Sequence, residues 1–395
     1  MALRWWMLLV LFLVRIAMGY QFQTIASSSE HLMQAFGLSY AEVGALIGFF
    51  LLPGIVFAIP SGLVTRALAD KTLLIIGAGV MIVGSLVMGF AEDVSGLYAG
   101  RLLTGIGGTI FNVILTKMVT DWFVGDRIVT ALSIMLTAWP GGIALGLLSQ
   151  GAIADAWGWP WVMHAASLFA LSALVLTVFF YRDAVVPRDA GGPLRFGLPL
   201  REFVHMSVVG FGWSVFNASL ILIVSFAPDH LIANGYNATA ARTVTSLLLW
   251  IALLAVPFGG RIVEYVGHIT LVIIVMMGAT GASMLLLANE ISPELTISAM
   301  AIVFAIPAGA VMSLTSEAVH ASNRGPGLGI FYTWYYAGMA AAPTLAGWTR
   351  DVTGDTSAPL VFAALLAFGV IATTLVFRVL QRAWPISNEQ EVRTA

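Results

Sequence analysis

The sequence predicts an all-α membrane protein with twelve transmembrane helices, arranged as two pseudo-symmetric six-helix bundles. Three observations predict it. The chain is 59% hydrophobic and only 10% charged, where a soluble globular protein carries about 25% charged residues. Apolar runs long enough to cross a bilayer, roughly 20 residues each, recur twelve times. Short stretches of the first half also return in the second half at a nearly constant offset.

The runs cover residues 5–27, 40–60, 72–90, 97–119, 128–151 and 159–181, then 203–226, 243–260, 269–288, 295–319, 328–348 and 359–379. No small-residue cleavage site follows the first run, so it reads as a retained helix rather than a removed signal. Most gaps are short and hold charges, Pro, Asn or Gly, as turns do. The gap RDAVVPRDAGGPLRFGLPLR, from Arg182 to Arg201, is longer. It divides the chain into a bundle over 1–183, a linker over 184–200 and a bundle over 201–395.

Basic residues set orientation in membranes. With both termini cytoplasmic, 14 of the 18 Lys and Arg fall on the inner side. Arg242 and Arg350 fall outside, and Arg15 and Arg101 lie within spans. There is no cysteine, which excludes a disulfide framework and thiolate metal sites. No basic stretch points to nucleic acid. No nucleophile constellation, metal set or phosphate loop points to an enzyme, a cofactor or a metal.

The internal echoes are specific. HLMQAFGLS from His31 resembles HLIANGYNAT from His230, and PSGLVTRALADK from Pro60 falls where FGGRIVEYVGH falls from Phe258. IADAWG from Ile153 answers TRDVTG from Thr349, and Asp121 before Arg127 answers Glu317 before Arg324. These pairs lie 196 to 199 residues apart. A duplicated unit enclosing a midplane site is how many secondary transporters are built.

Over nearly its whole length the chain resembles the major facilitator superfamily. That family carries a G-x-x-x-D-R-x-G-R-R pattern between its second and third helices. Gly260, Glu264, Gly267 and His268 match a softened form of it in the second half, with Tyr265 replacing the basic residue. The first half keeps Gly62, but Arg66 stands at the acidic position and Ala69 at the second glycine. RLLTGIGG, with Arg101, Gly105 and Gly107, resembles the family's fourth-helix pattern. WPGGIALG, with Pro140, Gly141, Gly142 and Gly146, resembles its fifth. WGWPW resembles the turn into the sixth, with Pro160 replacing a common arginine. The resemblance implies secondary transport by two rocking half-bundles, and implies a coupling or helix-bonding role for Arg101.

The residues themselves suit this. Gly44/Gly48, Gly142/Gly146 and Gly325/Gly329 are spaced for close helix packing. Pro53, Pro140, Pro307 and Pro343 can bend their helices. Arg15 lies eleven residues past Arg4, roughly 16 Å along a helix and near the bilayer centre. A charge there costs at least ~2.5–3.5 kcal/mol. Two readings stand: an anchor that grips an anion in two places, or a guanidinium bonded to carbonyls of a neighbouring helix. No Asp or Glu lies at the middle of any span, which argues against a cationic substrate and leaves His164 and His205 as the weak candidates for carrying protons.

Candidate substrate residues are therefore Arg15, Tyr20, Asn112, Trp139, Trp213, Asn217, Tyr332, Tyr335 and Tyr336. Candidate gating and coupling residues are Arg101, Asp121, Arg127, Glu317 and Arg324, with Asp121–Arg127 and Glu317–Arg324 as inner latches. The expected partners are a small anionic solute, the lipid bilayer and protons. The expected state is a monomer in a cell membrane, the bacterial inner membrane. Two alternatives remain open: an exporter of neutral or amphipathic drugs, and a non-transporting receptor or scaffold on the same fold.

Overall fold

The computed structural model describes residues 2–57, 68–123, 127–184, 198–320 and 323–386. Every regular element among them is helical. The first bundle runs α1 (Ala2–Ser27), a short α2 (Ser29–Phe36), α3 (Tyr40–Phe49), α4 (Leu52–Phe57), α5 (Asp70–Gly89), α6 (Val94–Trp122), α7 (Ile128–Trp157) and α8 (Trp159–Val175), which closes in a π-helical turn. The second runs α9 (Leu200–Ala233), α10 (Ala238–Val266), α11 (Ile269–Ala288), α12 (Pro293–Ala305), α13 (Ala308–Glu317), α14 (Arg324–Thr353) and α15 (Ala358–Ala383). Gly62 and Arg66 of the degenerate loop pattern, Asp126 and most of the expected linker lie outside the described residues.

Among the described residues eleven helical stretches are long and apolar enough to cross a membrane. The remaining crossing is α14, thirty residues long. Its apolar content is diluted by Tyr332, Thr333, Trp334, Tyr335 and Tyr336. Four of these five face at least partly inward and only Trp334 is well exposed, so the deviation marks a helix that lines an interior.

Local chemistry sets the breaks. Ser39 and Glu42 form a capping box that starts α3. Asp93 caps α6 through the Gly96 N–H, and that bond holds its carboxyl below the usual range. Pro53 and Pro307 each lack the N–H that would bond one turn back. The second span therefore divides into α3 and α4, and the tenth into α12 and α13. Pro140 and Pro343 are accommodated inside the unbroken α7 and α14.

Two seams join the bundles: α3 and α4 against α14, and α7 against α10. In the first, Gly44 faces the Pro343 carbonyl and Gly48 faces the Ala340 carbonyl, so closely that any Cβ would strike backbone. Lipid tails give apolar helices no reason to leave them, so contact at this range comes from small residues.

Candidate functional site

The antiparallel pair α1 and α6 carries both buried arginines. Arg101, fully buried, bonds at every edge: Nε to the Leu46 carbonyl at 2.9 Å, Nη1 to the Gln21 carbonyl at 3.1 Å and Thr24 Oγ1 at 3.3 Å, and Nη2 to the Phe22 carbonyl at 2.7 Å. Its guanidinium also lies 4.8 Å from the Phe50 ring centre. It ties α6 to α1 and α3, and four of its five N–H donors are spent on these helices.

Arg15 is different. It is 6% exposed. Nη2 donates to Asn112 Oδ1 at 2.9 Å, and Asn112 Nδ2 donates to the Tyr336 hydroxyl at 2.7 Å. This chain crosses from the first bundle to the second. Among the described residues Nε and Nη1 have no partner. The titratable side chains among them that act on Arg15 are Tyr332, Tyr335 and Tyr336, with no carboxylate. Those three rings form one cluster, with centroid separations of 6.2 Å, 6.5 Å and 5.0 Å. Gly54, beside the break in the second span, packs on the Tyr336 ring.

Arg15, Asn112, Tyr332, Tyr335 and Tyr336 thus come together as the sequence suggests. Tyr20 does not join them. Its hydroxyl bonds Ser149 Oγ at 3.1 Å and its ring stacks on Phe169 at 3.9 Å, against α7 and α8. The five-residue step from Arg15 turns it about 140° around α1. Trp213 stacks on Phe216 and Phe331, and Asn217 Nδ2 returns to the Trp213 carbonyl of its own helix at 2.8 Å. Trp139 packs 5.4 Å from Phe22, with a buried Nε1 that has no partner.

The inner latches pair differently from expectation. Asp121 meets Lys117 at 3.0 Å, one helical turn away, and Lys117 also holds Asp70. Glu317 meets Arg378 and Gln381. Arg127 and Arg324 are exposed. The i,i+4 spacing of Lys117 and Asp121 puts them on one face, while Arg127 lies beyond the end of α6. These pairs stay within one bundle.

Further cross-bundle bonds sit at the opposite end, where the sequence assigned no role. Asp351 accepts from the backbone N–H of Tyr40 at 3.0 Å and of Ala41 at 2.8 Å. Arg350 Nη2 donates to the Tyr40 hydroxyl at 2.6 Å, and its guanidinium lies 3.8 Å from that ring centre. Arg242 meets Asp155 at 2.8 Å, with His31 on the other oxygen of that carboxylate at 3.5 Å. Asp155 and Asp351 are the echoed acids of IADAWG and TRDVTG. Each ends one seam helix and reaches the start of its partner. This far end is stitched shut between the bundles by two pseudo-symmetric links.

A family model described as Major Facilitator Superfamily matches residues 8–228, more than half of the chain. The chain belongs to the Major Facilitator Superfamily. It is a multi-pass membrane protein and a secondary transporter, not an enzyme. An uncharacterized MFS-type transporter of Methanocaldococcus jannaschii, MJ1560, is 22% identical over 331 residues, covering 81% of this chain and 85% of its own. The hexuronate transporter of Bacillus subtilis is 21% identical over 368 residues, 86% of each chain. The solved nucleoside transporter NupG superposes with a TM-score of 0.74 at 13% identity, over 96% of this chain and 99% of that one. At that identity it shows the fold alone.

Proposed function

We propose that this carrier moves a small organic monoanion, carboxylate-like, bound at Arg15. The observation that carries the reading is the contrast between the two buried arginines. Arg101 bonds at all three nitrogens, to three carbonyl oxygens and the Thr24 hydroxyl, whereas among the described residues Arg15 keeps Nε and Nη1 without a partner beside three tyrosines and Asn112. A buried polar group without a partner costs about 1–3 kcal/mol, more for a charged one. An anion supplies the missing acceptors, and a guanidinium takes a carboxylate in two parallel bonds. One cation matches one negative charge. The distant hexuronate transporter, whose named cargo is a sugar acid with one carboxylate, supports the same class.

In this reading both termini are cytoplasmic, in keeping with the distribution of basic residues. The far end is then the outer face, latched shut, and the two bundles, 1–183 and 201–395, rock as a monomer in a bacterial inner membrane. Asp121 and Glu317 hold their own bundles rigid while the bundles move.

The test is thermal stabilisation of the purified protein by a panel of small monoanions, with D-glucuronate first, beside neutral sugars and nucleosides. Anions stabilise the protein, and Arg15→Gln weakens their binding about ten- to a hundredfold, the worth of a charged hydrogen-bonded pair. Equal binding of glucuronate by Arg15→Gln, or stabilisation by neutral compounds alone, sinks the reading. The second outcome would instead favour an exporter of neutral compounds.

A further inference from the structure

We propose that the carrier is an anion exchanger: it crosses between its two states readily when loaded and slowly when empty. Inward movement of one anion is therefore tied to outward movement of another. The inference rests on the reading of Arg15 as the anion's partner.

A guanidinium does not release its proton in a protein, so Arg15 is positive throughout the cycle. Among the described residues nothing beside it carries a compensating charge. Of 20 Asp and Glu residues none lies at the middle of a span, and its titratable neighbours are three tyrosines. In the empty site the charge meets only dipoles, chiefly Asn112 Oδ1. Between the two open states such a carrier must close at both ends at once. The far end already shows how closely the bundles meet when closed, with backbone against backbone at Gly44 and Gly48. Closing the site around a lone cation strips away water and returns no counter-charge. Closing it around a bound anion encloses a neutral pair.

A proton cannot substitute on the return step. Binding one near Arg15 would add positive charge, and the site offers no carboxylate to hold it. A carrier with a midplane acid can reset by closing an internal ion pair; this chain has no such acid. The charge that lets the loaded form close is the one the empty form lacks.

The experiment uses the full-length protein in liposomes, with membrane potential clamped at zero and labelled D-glucuronate outside. Initial uptake is measured with unlabelled glucuronate inside and with an anion-free lumen. Preloading speeds uptake at least about tenfold in the wild type, equivalent to about 1.4 kcal/mol between the loaded and empty barriers. Asn112→Asp places a carboxylate where Oδ1 now meets Arg15, giving the empty site its counter-charge. Its ratio of exchange to net uptake falls toward one, although its affinity for the anion also falls. Arg15→Lys keeps the charge and keeps the ratio high. Net uptake as fast as exchange in the wild type, with glucuronate still bound through Arg15, overturns the inference and leaves the anion reading standing. So does a wild-type ratio in a folded Asn112→Asp. If glucuronate neither stabilises the protein nor enters, the anion reading fails and takes this inference with it.

Discussion

Replacing Asp351 with Asn unlatches the far end. The first N–H groups of a helix have no partner within it, and Asp351 takes those of Tyr40 and Ala41 at the start of α3, at 3.0 and 2.8 Å. An amide keeps the shape but can accept only one of the two bonds with its oxygen, and it loses the charge. A hydrogen bond to a charged group contributes about 1.5–3 kcal/mol, against about 0.5–1.5 for a neutral one. A carboxylate at a helix start adds about 0.3–1 kcal/mol. Asp351 is exposed, so the lower part of these ranges applies, about 1–2 kcal/mol in all. The bonds exist only while the far end is closed. Their whole loss therefore appears in the closed–open equilibrium, a factor of about 5–30.

The chain has no cysteine of its own, so a single thiol reports cleanly. Ser27 is suited to this, because it is 8% exposed and lines a small void between the bundles at the far end. On a Ser27→Cys background, Asp351→Asn raises the rate of labelling by an impermeant maleimide about 5- to 30-fold. Asp155→Asn acts through Arg242 and His31. As an exposed ion pair it contributes about 0.2–1 kcal/mol, so its effect is smaller and multiplies with the first. Unchanged labelling in the double variant, with a thiol that reacts fully after denaturation, would refute the latch.

The two arginines should separate stability from transport. Arg101→Gln leaves most of its four buried acceptors without a donor, at about 1–3 kcal/mol for a buried group left unpaired, and so lowers stability, read as thermal unfolding in detergent. Arg15→Gln leaves stability unchanged or higher, because it removes a half-satisfied charge, while anion binding falls. Gly48→Leu drives a side chain into the Ala340 carbonyl; it should open the far end in the Ser27→Cys assay even with both latches intact.

The spans were legible because bilayer thickness imposes one length on each run. Arg15 was legible for the same reason: depth follows from counting residues along α1. Asn112 lies eleven residues past Arg101, about 20° from a whole number of turns, so helical geometry alone puts it on the Arg101 face of α6. The structure adds that the two residues meet α1 at different depths. What the sequence could not show is the far-end latch. Asp351 binds backbone N–H groups, which have no side-chain signature, and its partners lie 310 and 311 residues away. The repeat exposed Asp155 and Asp351 as equivalent but not what they hold. Tyr20 misled because α1 carries polar groups on several faces. Lys117 was readable, since its i,i+4 step to Asp121 closes a pair that Arg127 does not reach.

The duplication now explains why the latches and the site behave differently. The repeat gives both seams the same device, an acid at the end of one helix and a helix start opposite, and two such links close the far end symmetrically. The site breaks that symmetry. Arg15 stands on α1, and the equivalent first helix of the second bundle, α9, has no basic residue at comparable depth. The second bundle answers instead with the tyrosines of α14. A symmetric pair of arginines would suit a more highly charged anion and would leave two cations to enclose when empty. On the proposed function, one arginine facing neutral hydroxyls binds one negative charge and holds the empty penalty to a single guanidinium. In the proposed reading, the same asymmetry that sets the charge of the cargo also sets how strongly the empty carrier resists closing.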